Sequence, residues 1–394
     1  MTSHHIARCQ GESKENRKTN AKAMFAAIRE ATKACAPNGT NGRARSAVAG
    51  EDDGDATALA SEDASTTARA PSEDFRGRTY VVTGVGTSAH ADACARRLVI
   101  AKARVVCATS DSAGAERARR RARGTNDSDD REDVDDGEDV GEFVVMHCDL
   151  ASVESIEAFA KAFQRKAWAL DGILCAENAT HVEFATTEDG VERHFGVNHL
   201  GHFKLVSVLE NELVRTAAAN GREGRVVLVT SNLHHFTYRV RQGTTKPSRG
   251  IDFGNLNSSY GYSALASYGQ SKLANILHAW KLQERWSESN APVRCVAATV
   301  GATKEELNLS LAFPGGSMLA SLVSPWVTTD VEDGVVTPLY CLTAPKLPAG
   351  VFFVDCEPVK SSLPSRDPRL AAELWDVSVE MCALEGKSSK VALP

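Results

Sequence analysis

The chain has 394 residues, a formal net charge of −6 and ten cysteines. Its length allows two average domains, but one large α/β domain with tails fits better. The negative balance excludes a global attraction to nucleic acid or to an anionic membrane.

Residues 1–75 are rich in Ala, Ser, Thr, Gly and charge and poor in aromatics, a composition that predicts a disordered extension. Residues 1–50 carry nine Lys/Arg against three Asp/Glu, and 51–75 carry eight acids against one Arg. The basic, acid-poor start reads equally as an organelle transit peptide or as a plain extension. No apolar run approaches the roughly 18–20 residues that span a bilayer. No secretory signal core is visible near the start. The cysteines form no C-x-x-C pair, so neither a zinc site nor a disulfide framework is indicated. A reducing compartment, cytoplasm or chloroplast stroma, is the expectation.

Ordered sequence is expected from Arg76. Tyr80-Val81-Val82 has the character of a short buried strand, and Thr83-Gly84-Val85-Gly86-Thr87-Ser88-Ala89-His90-Ala91 leads from it into a helix. Such a joint suits a dinucleotide's pyrophosphate, because free N–H groups and the helix dipole favour negative charge there. Gly84, Gly86 and Ala89 fit the broad G-x-G-x-x-G/A spacing, a weak signal alone. A second strand, Arg104 to Cys107, leads to Thr109, Ser110 and Asp111. A basic helix follows, and then residues 127–142, where ten acids face one Arg. That block predicts an acidic, disordered insertion over 124–142. Strand three is Phe143 to Met146 and leads to Asp149, a candidate cap for the next helix. Strand four, Gly172 to Cys175, reaches Glu177-Asn178, and a long helix then carries Asn198. Strand five, Val226 to Thr230, delivers Ser231, and strand six runs from Val293 to Ala298. After it come Gly301 and an apolar stretch, Phe313 to Trp326, that reads either as a substrate lid or as a packing segment. Val351 to Val354 is the last strand. A closing helix begins at Asp367-Pro368 with Leu370, Leu374, Val377 and Met381 inward, and residues 386–394 form a tail.

Strands alternating with helices predict a Rossmann-type, doubly wound parallel sheet of about seven strands in a single domain spanning 76–385. Ligands should bind beyond the carboxyl ends of the strands, where Ser231 and Asn178 fall. The most informative stretch is Ser267-Tyr268-Gly269-Gln270-Ser271-Lys272-Leu273-Ala274-Asn275. Tyr268 and Lys272 share one helix face, with Leu273, Ile276, Leu277 and Trp280 at helical spacing behind them. An ammonium group beside a phenol favours its anion and lowers its pKa, which suits proton exchange with an alcohol/carbonyl pair.

This run, together with Phe195-Gly196-Val197-Asn198-His199-Leu200-Gly201-His202-Phe203 and Arg225 to Ser231, resembles the short-chain dehydrogenase/reductase family, in its retinol-dehydrogenase-like branch. It also resembles the dehydrogenases associated with the chloroplast inner-envelope import machinery. The resemblance covers roughly residues 76–385. It implies Tyr268 as the proton donor and acceptor, with Lys272 beside it on the nicotinamide ribose. Ser231 would orient the substrate oxygen, and Asn198 would support a proton relay. It implies a cofactor site at Gly84, Gly86, Ala89, Ala91, Ser110, Asp149, Asn178, Tyr268, Lys272 and Gly301, with Asp149 along the adenine.

The chain departs from the family's T-G-x-x-x-G-x-G loop. One extra loop residue puts Ala89 and Ala91 at the second and third glycines. Glu177 and Thr180 replace residues of N-N-A-G, and Val300 replaces the proline before Gly301. With neither acid nor base at Thr109 and Ser110, NADP is expected ahead of NAD. The implied activity is hydride transfer on a lipophilic carbonyl or alcohol, open to peripheral membrane contact and to a homodimer, with no nucleic acid and no metal. The departures keep a second reading in play, a dehydrogenase fold retained as a weakly active docking or redox-sensing module. The stretch between Ser231 and Tyr268 is expected near the substrate mouth, with His234 and His235 as loop residues because no third ligand is spaced to join them.

Overall fold

The computed structural model describes residues 74–122, 140–240, 248–258, 260–311, 324 and 327–383. The predicted extension lies outside these residues apart from Asp74 and Phe75, as does the acidic insertion apart from 140–142. Nearly all of the Phe313 to Trp326 stretch and the 386–394 tail are outside them too. Phe75 is fully buried, and its N–H donates to the Ala101 carbonyl at 2.7 Å.

Eight strands form one sheet: β1 (Thr79–Thr83), β2 (Arg104–Thr109), β3 (Phe143–His147), β4 (Gly172–Cys175), β5 (Gly224–Thr230), β6 (Val293–Thr299), β7 (Phe352–Val354) and β8 (Glu357–Pro358). Their spatial order is β8-β7-β6-β5-β4-β1-β2-β3, and every pair is parallel except β8 with β7. The antiparallel edge pair accounts for the strand beyond the expected seven.

Alternation along the strands divides the core in two. Val81 and Val106 face one cluster with Phe159, Leu209, Leu277 and Trp375. Tyr80, Val82, Val105 and Cys107 face the other, with Ala91, Leu98 and Leu339. Helices α1 (Ala89–Ile100), α2 (Ser112–Ala122) and α8 (Val336–Thr343) serve the second face. Helices α3 (Val153–Arg165), α4 (His202–Asn220), α5 (Ala264–Glu288) and α9 (Pro368–Met381) serve the first. Between them in sequence lie α6 (Lys304–Ser310) and α7 (Val331–Gly334). All eight cysteines among the described residues are free, and seven of them are buried.

The chain winds outward from β1 to β3, then crosses back to place β4 on the other side of β1. This reversal opens a crevice at the carboxyl ends of β1 and β4, which is where such sheets bind ligands.

Candidate active site

Helix α5 starts at an N-cap, Ser263, whose hydroxyl accepts from the Ala266 N–H. One turn in, Tyr268 and Lys272 lie on a shared face and are 0% and 1% exposed. Leu273, Ile276 and Leu277 pack into the first core cluster as the spacing predicts, but the inward tryptophan is Trp286, and Trp280 stays half-buried. The Lys272 ammonium lies 5.3 Å from the Tyr268 ring centroid and donates to the Val229 carbonyl at 3.3 Å. Burial drives its pKa down to about 8, against the pull of the Glu306 and Glu177 carboxylates.

Ser231 follows β5 and caps a short 3-10 turn, Asn232–His235, by accepting from the Leu233 N–H at 3.0 Å. Tyr268 and Ser231 both act on one group, the carboxyl of Glu306. The Tyr268 hydroxyl donates to Glu306 Oε1 at 2.7 Å, and the Ser231 hydroxyl is near enough to favour the charged form of the same carboxyl. Glu306 comes from α6, whose N-cap Thr303 forms a capping box with it. Burial holds the Glu306 carboxyl above the ordinary carboxylate range, opposed by its bond to Tyr268, by Ser231 and by Lys272. The phenol behaves differently from the expectation. Burial first, and the Glu306 charge second, push Tyr268 well above the usual tyrosine value, so the nearby ammonium does not control it.

Asn198 sits in a π-helical turn, Gly196–Gly201, just before α4, a type of irregularity that recurs at functional sites. Its side chain clamps the Ala179 backbone from both sides, accepting at 2.7 Å and donating at 3.1 Å, and also donates to Ser271 Oγ at 3.1 Å. Its carbonyl takes the Nδ1 hydrogen of His202 at 3.0 Å, which leaves His202 Nε2 to accept from the Thr83 hydroxyl at 2.9 Å. Burial lowers the His202 pKa to about 4, consistent with this neutral form. Thr83 Oγ1 in turn accepts the N–H groups of Ala176 and Glu177. This buried chain ties the end of β1 to Asn198 and to the end of β4. None of Thr83, His202 and their shared role was singled out from the sequence.

The Asn178 side chain lies near enough to Tyr268 to oppose the rise in its pKa, and its Oδ1 is buried without a partner among the described residues. It lines a cleft of about 320 Å³ at the sheet reversal, with Ser88, Ala89, His90, Val229 and Val300. An unpaired buried acceptor in a cleft bordered by a helix N-terminus fits a nicotinamide dinucleotide, whose hydroxyl and amide groups can supply the donor.

The glycine loop keeps its shape through two residues. Gly84 has φ +82°, and a Cβ there would lie 2.7 Å from the Glu177 Cα; Gly86 has φ +96°, with the Ala115 nitrogen at 2.5 Å. Ser88 caps α1, Ala89 faces the cleft, and Ala91 is fully buried against the sheet. Glu177 accepts from the Thr87 hydroxyl at 2.9 Å, and burial raises its pKa. At the end of β2, Ser110 is exposed, whereas Asp111 is drawn into capping α2 through the Gly114 N–H at 2.8 Å and lies 3.7 Å from Arg117. Asp149 accepts from the Ala151 N–H, and the cap of α3 is Ser152, so the capping alternative for Asp149 is not realised. Gly301 keeps a turn at φ +80° beside Thr329.

The histidine pair corrects another expectation. His234 is 2% exposed, its Nδ1 donates to the Ser231 carbonyl at 2.8 Å, and its Nε2 accepts from the Ser362 N–H at 3.2 Å. It braces Ser231 from behind and is buried; residues 241–247 of the same stretch lie outside the described ones. Among the described residues, His181, Glu192 and His194 form a cluster with metal-like proximity. Its atoms are largely committed. Glu192 caps the His194 and Phe195 N–H groups and binds His194 Nδ1, and His194 Nε2 accepts from the His181 N–H. The His194 ring meets Tyr268 edge to face at 5.8 Å, which makes the cluster a wall of the site.

No family model matches the chain. It is 32% identical over 318 residues to human retinol dehydrogenase 14, covering 79% of this chain and 88% of that protein. It is 29% identical over 238 residues to the chloroplastic short-chain dehydrogenase TIC 32 A of Brassica napus, covering 60% of this chain and 71% of that one. Among solved structures, an uncharacterised protein from Mycobacterium paratuberculosis superposes with a TM-score of 0.60 at 28% identity, over 81% of this chain and 97% of that chain.

Proposed function

The chain belongs to the short-chain dehydrogenase/reductase family of nicotinamide-dependent oxidoreductases acting on CH–OH and C=O groups, and from that premise we propose an NADP-dependent enzyme for a lipophilic aldehyde, ketone or alcohol. One observation carries the reading. The Tyr268 hydroxyl donates to a buried carboxyl oxygen, with the Ser231 hydroxyl near enough to favour the charge on that group and the Lys272 ammonium beside the phenol. A substrate oxygen in that position receives two hydrogen bonds, one from a proton donor and one from an orienting hydroxyl.

A bound nicotinamide supplies or accepts the hydride. The chain's own residues do the rest. Tyr268 holds the transferable proton on its phenol oxygen, and Ser231 fixes the direction of the substrate oxygen. Lys272 places positive charge beside the phenol and would bind the nicotinamide ribose. Asn198 locks the Ala179 backbone and Ser271, which sets the position of α5 against β4. Gly84, Gly86 and Ala89, with the N-terminus of α1, would hold the pyrophosphate, and Asn178 Oδ1 would take a donor from the nicotinamide half. Asp149 would border the adenine.

Support for NADP comes from the absence of acid at Thr109 and Ser110, and from the capture of Asp111 by Gly114 and Arg117. Support for a lipophilic substrate comes from the retinol dehydrogenase relative. The burial of seven thiols weighs against redox sensing. No helix among the described residues is long and apolar enough to cross a membrane. The basic residues 1–50 and the chloroplastic relative support a plastid location, which a fluorescent fusion with and without residues 1–50 would test.

Titration of the purified protein with NADPH and NADH, then turnover against a panel of lipophilic aldehydes, ketones and alcohols, tests the enzyme reading. NADPH should bind more tightly and support turnover. Absence of binding by either nucleotide at millimolar concentration would instead favour the docking reading.

A further inference from the structure

Glu306 sits where the proposed chemistry needs empty space. Its Oε1 is 2.7 Å from the Tyr268 hydroxyl, the Ser231 hydroxyl is near enough to favour its charge, and the residue is 6% exposed. These are the two hydroxyls that a substrate oxygen must engage. A carboxyl oxygen offers them the same acceptor geometry as a carbonyl, so the two compete for one place. Among the described residues, the carboxyl has one other hydrogen bond, the capping contact within α6, and Lys272 attracts it from the side of Tyr268. The capping box of α6 asks only that it reach the Thr303 N–H, and that contact is long, at 3.5 Å.

Building on the oxidoreductase reading, we propose that Glu306 is an internal occupant of the substrate-oxygen site: its carboxyl plugs the Tyr268–Ser231 pair in the free enzyme, and substrate binds by displacing it. The plug can leave without unfolding anything. Leu307 and Leu309 anchor α6 by their own burial, so a change in the Glu306 side-chain torsions suffices. The displaced carboxyl keeps a partner, because rotation away from Tyr268 still allows it to cap Thr303. The consequence is kinetic. A site filled by its own side chain most of the time shows an apparent substrate affinity reduced by the open fraction.

Two readouts test this on the full-length protein. The first is kinetic: Glu306→Ala should lower KM for a carbonyl substrate by about tenfold, the factor expected if the plug holds the site nine-tenths of the time, with kcat equal or raised. Glu306→Gln, which keeps the shape and still accepts hydrogen bonds, should fall between the two and serves if the alanine variant does not fold. The second readout needs no turnover. Acetate, a detached copy of the plug, should bind Glu306→Ala in saturation-transfer NMR, should not bind the wild type, and should lose the site when Tyr268→Phe is added. If no variant turns over any carbonyl, the enzyme reading fails while the acetate arm still decides the plug. Equal acetate binding by wild type and Glu306→Ala, or binding by neither, overturns the proposal. So does a fall in kcat at constant KM, which would make Glu306 part of the chemistry.

Discussion

At the phosphate-loop end of the cleft, Ala89 and Ala91 stand where the family expects glycines, yet the backbone keeps its turn through Gly84 and Gly86. At the other end, the expected Asn198, Ser231, Tyr268 and Lys272 are all present, yet Glu306 from a distant helix reaches in and takes the Tyr268 hydroxyl. One end has changed in sequence and kept its geometry. The other has kept its sequence and changed its occupancy. The difference shows that a motif reports which groups are present, while the state of the site depends on what the rest of the fold brings against it.

The largest effect that can break this comparison is at Tyr268. Tyr268→Phe removes one proton and little volume, so turnover should fall by about 10²–10⁴. NADPH affinity should stay within about threefold, because the phosphate-loop end is untouched. Fluorescence titration beside a steady-state assay checks both. Retained turnover in the Phe variant would strip Tyr268 of its role and remove the meaning of the plug with it.

A smaller effect concerns Lys272, whose pKa falls from 10.5 to about 8 on burial. The sign follows from proton counting. Between pH 8 and 10.5 the unfolded chain holds the proton and the folded one does not, so this group adds stability as pH rises through that window. Buried thiols and Tyr268 act in the opposite direction, since their folded pKa values are raised. The clean quantity is therefore the stability difference between wild type and Lys272→Met. Denaturant unfolding should show it shifting toward the wild type by roughly 2–4 kcal/mol across the window. A flat difference would mean that the ammonium is solvated in the native state. Between pH 7 and 9 the activity of the wild type should decline as the ammonium is lost.

The fold was legible because its signals are local. Alternation in Tyr80 to Val82 and Val105 to Cys107, and the helical spacing of Leu273, Ile276 and Leu277, each follow from neighbours in sequence. The four candidate catalytic residues could be named for the same reason, since they sit in dense motifs. The interactions that set the state of the site join residues far apart. Thr83 meets His202 across 119 positions, and Tyr268 meets Glu306 across 38. A capping box is readable in Thr303-x-x-Glu306, but nothing in that spacing says where the carboxyl's other contacts lie. His234 misled in the same way: a polar pair in a long connection reads as surface, and only the packing of Ser362 over it shows that it is a buried brace.

The smallest effect sharpens the other half of the comparison, the altered glycine loop. From the sequence, Ala89 and Ala91 replace glycines together, so restoring both would be expected to tighten the cofactor. Their surroundings separate them. Ala89 is the first residue of α1 and lines the cleft, so Ala89→Gly clears one methyl from the phosphate path and should tighten NADPH by no more than a few-fold. Ala91 is fully buried in the second core cluster, where its methyl packs α1 onto the sheet. Ala91→Gly exposes no new surface to phosphate, loosens that packing and adds backbone entropy to the unfolded chain, at a cost of about 1 kcal/mol in stability. Its NADPH affinity should be unchanged at temperatures where it stays folded. Thermal unfolding and nucleotide titration of the two single variants decide the matter. Tightening by Ala91→Gly, with none by Ala89→Gly, would mean that the phosphate approaches about half a turn further along α1 than the cleft indicates.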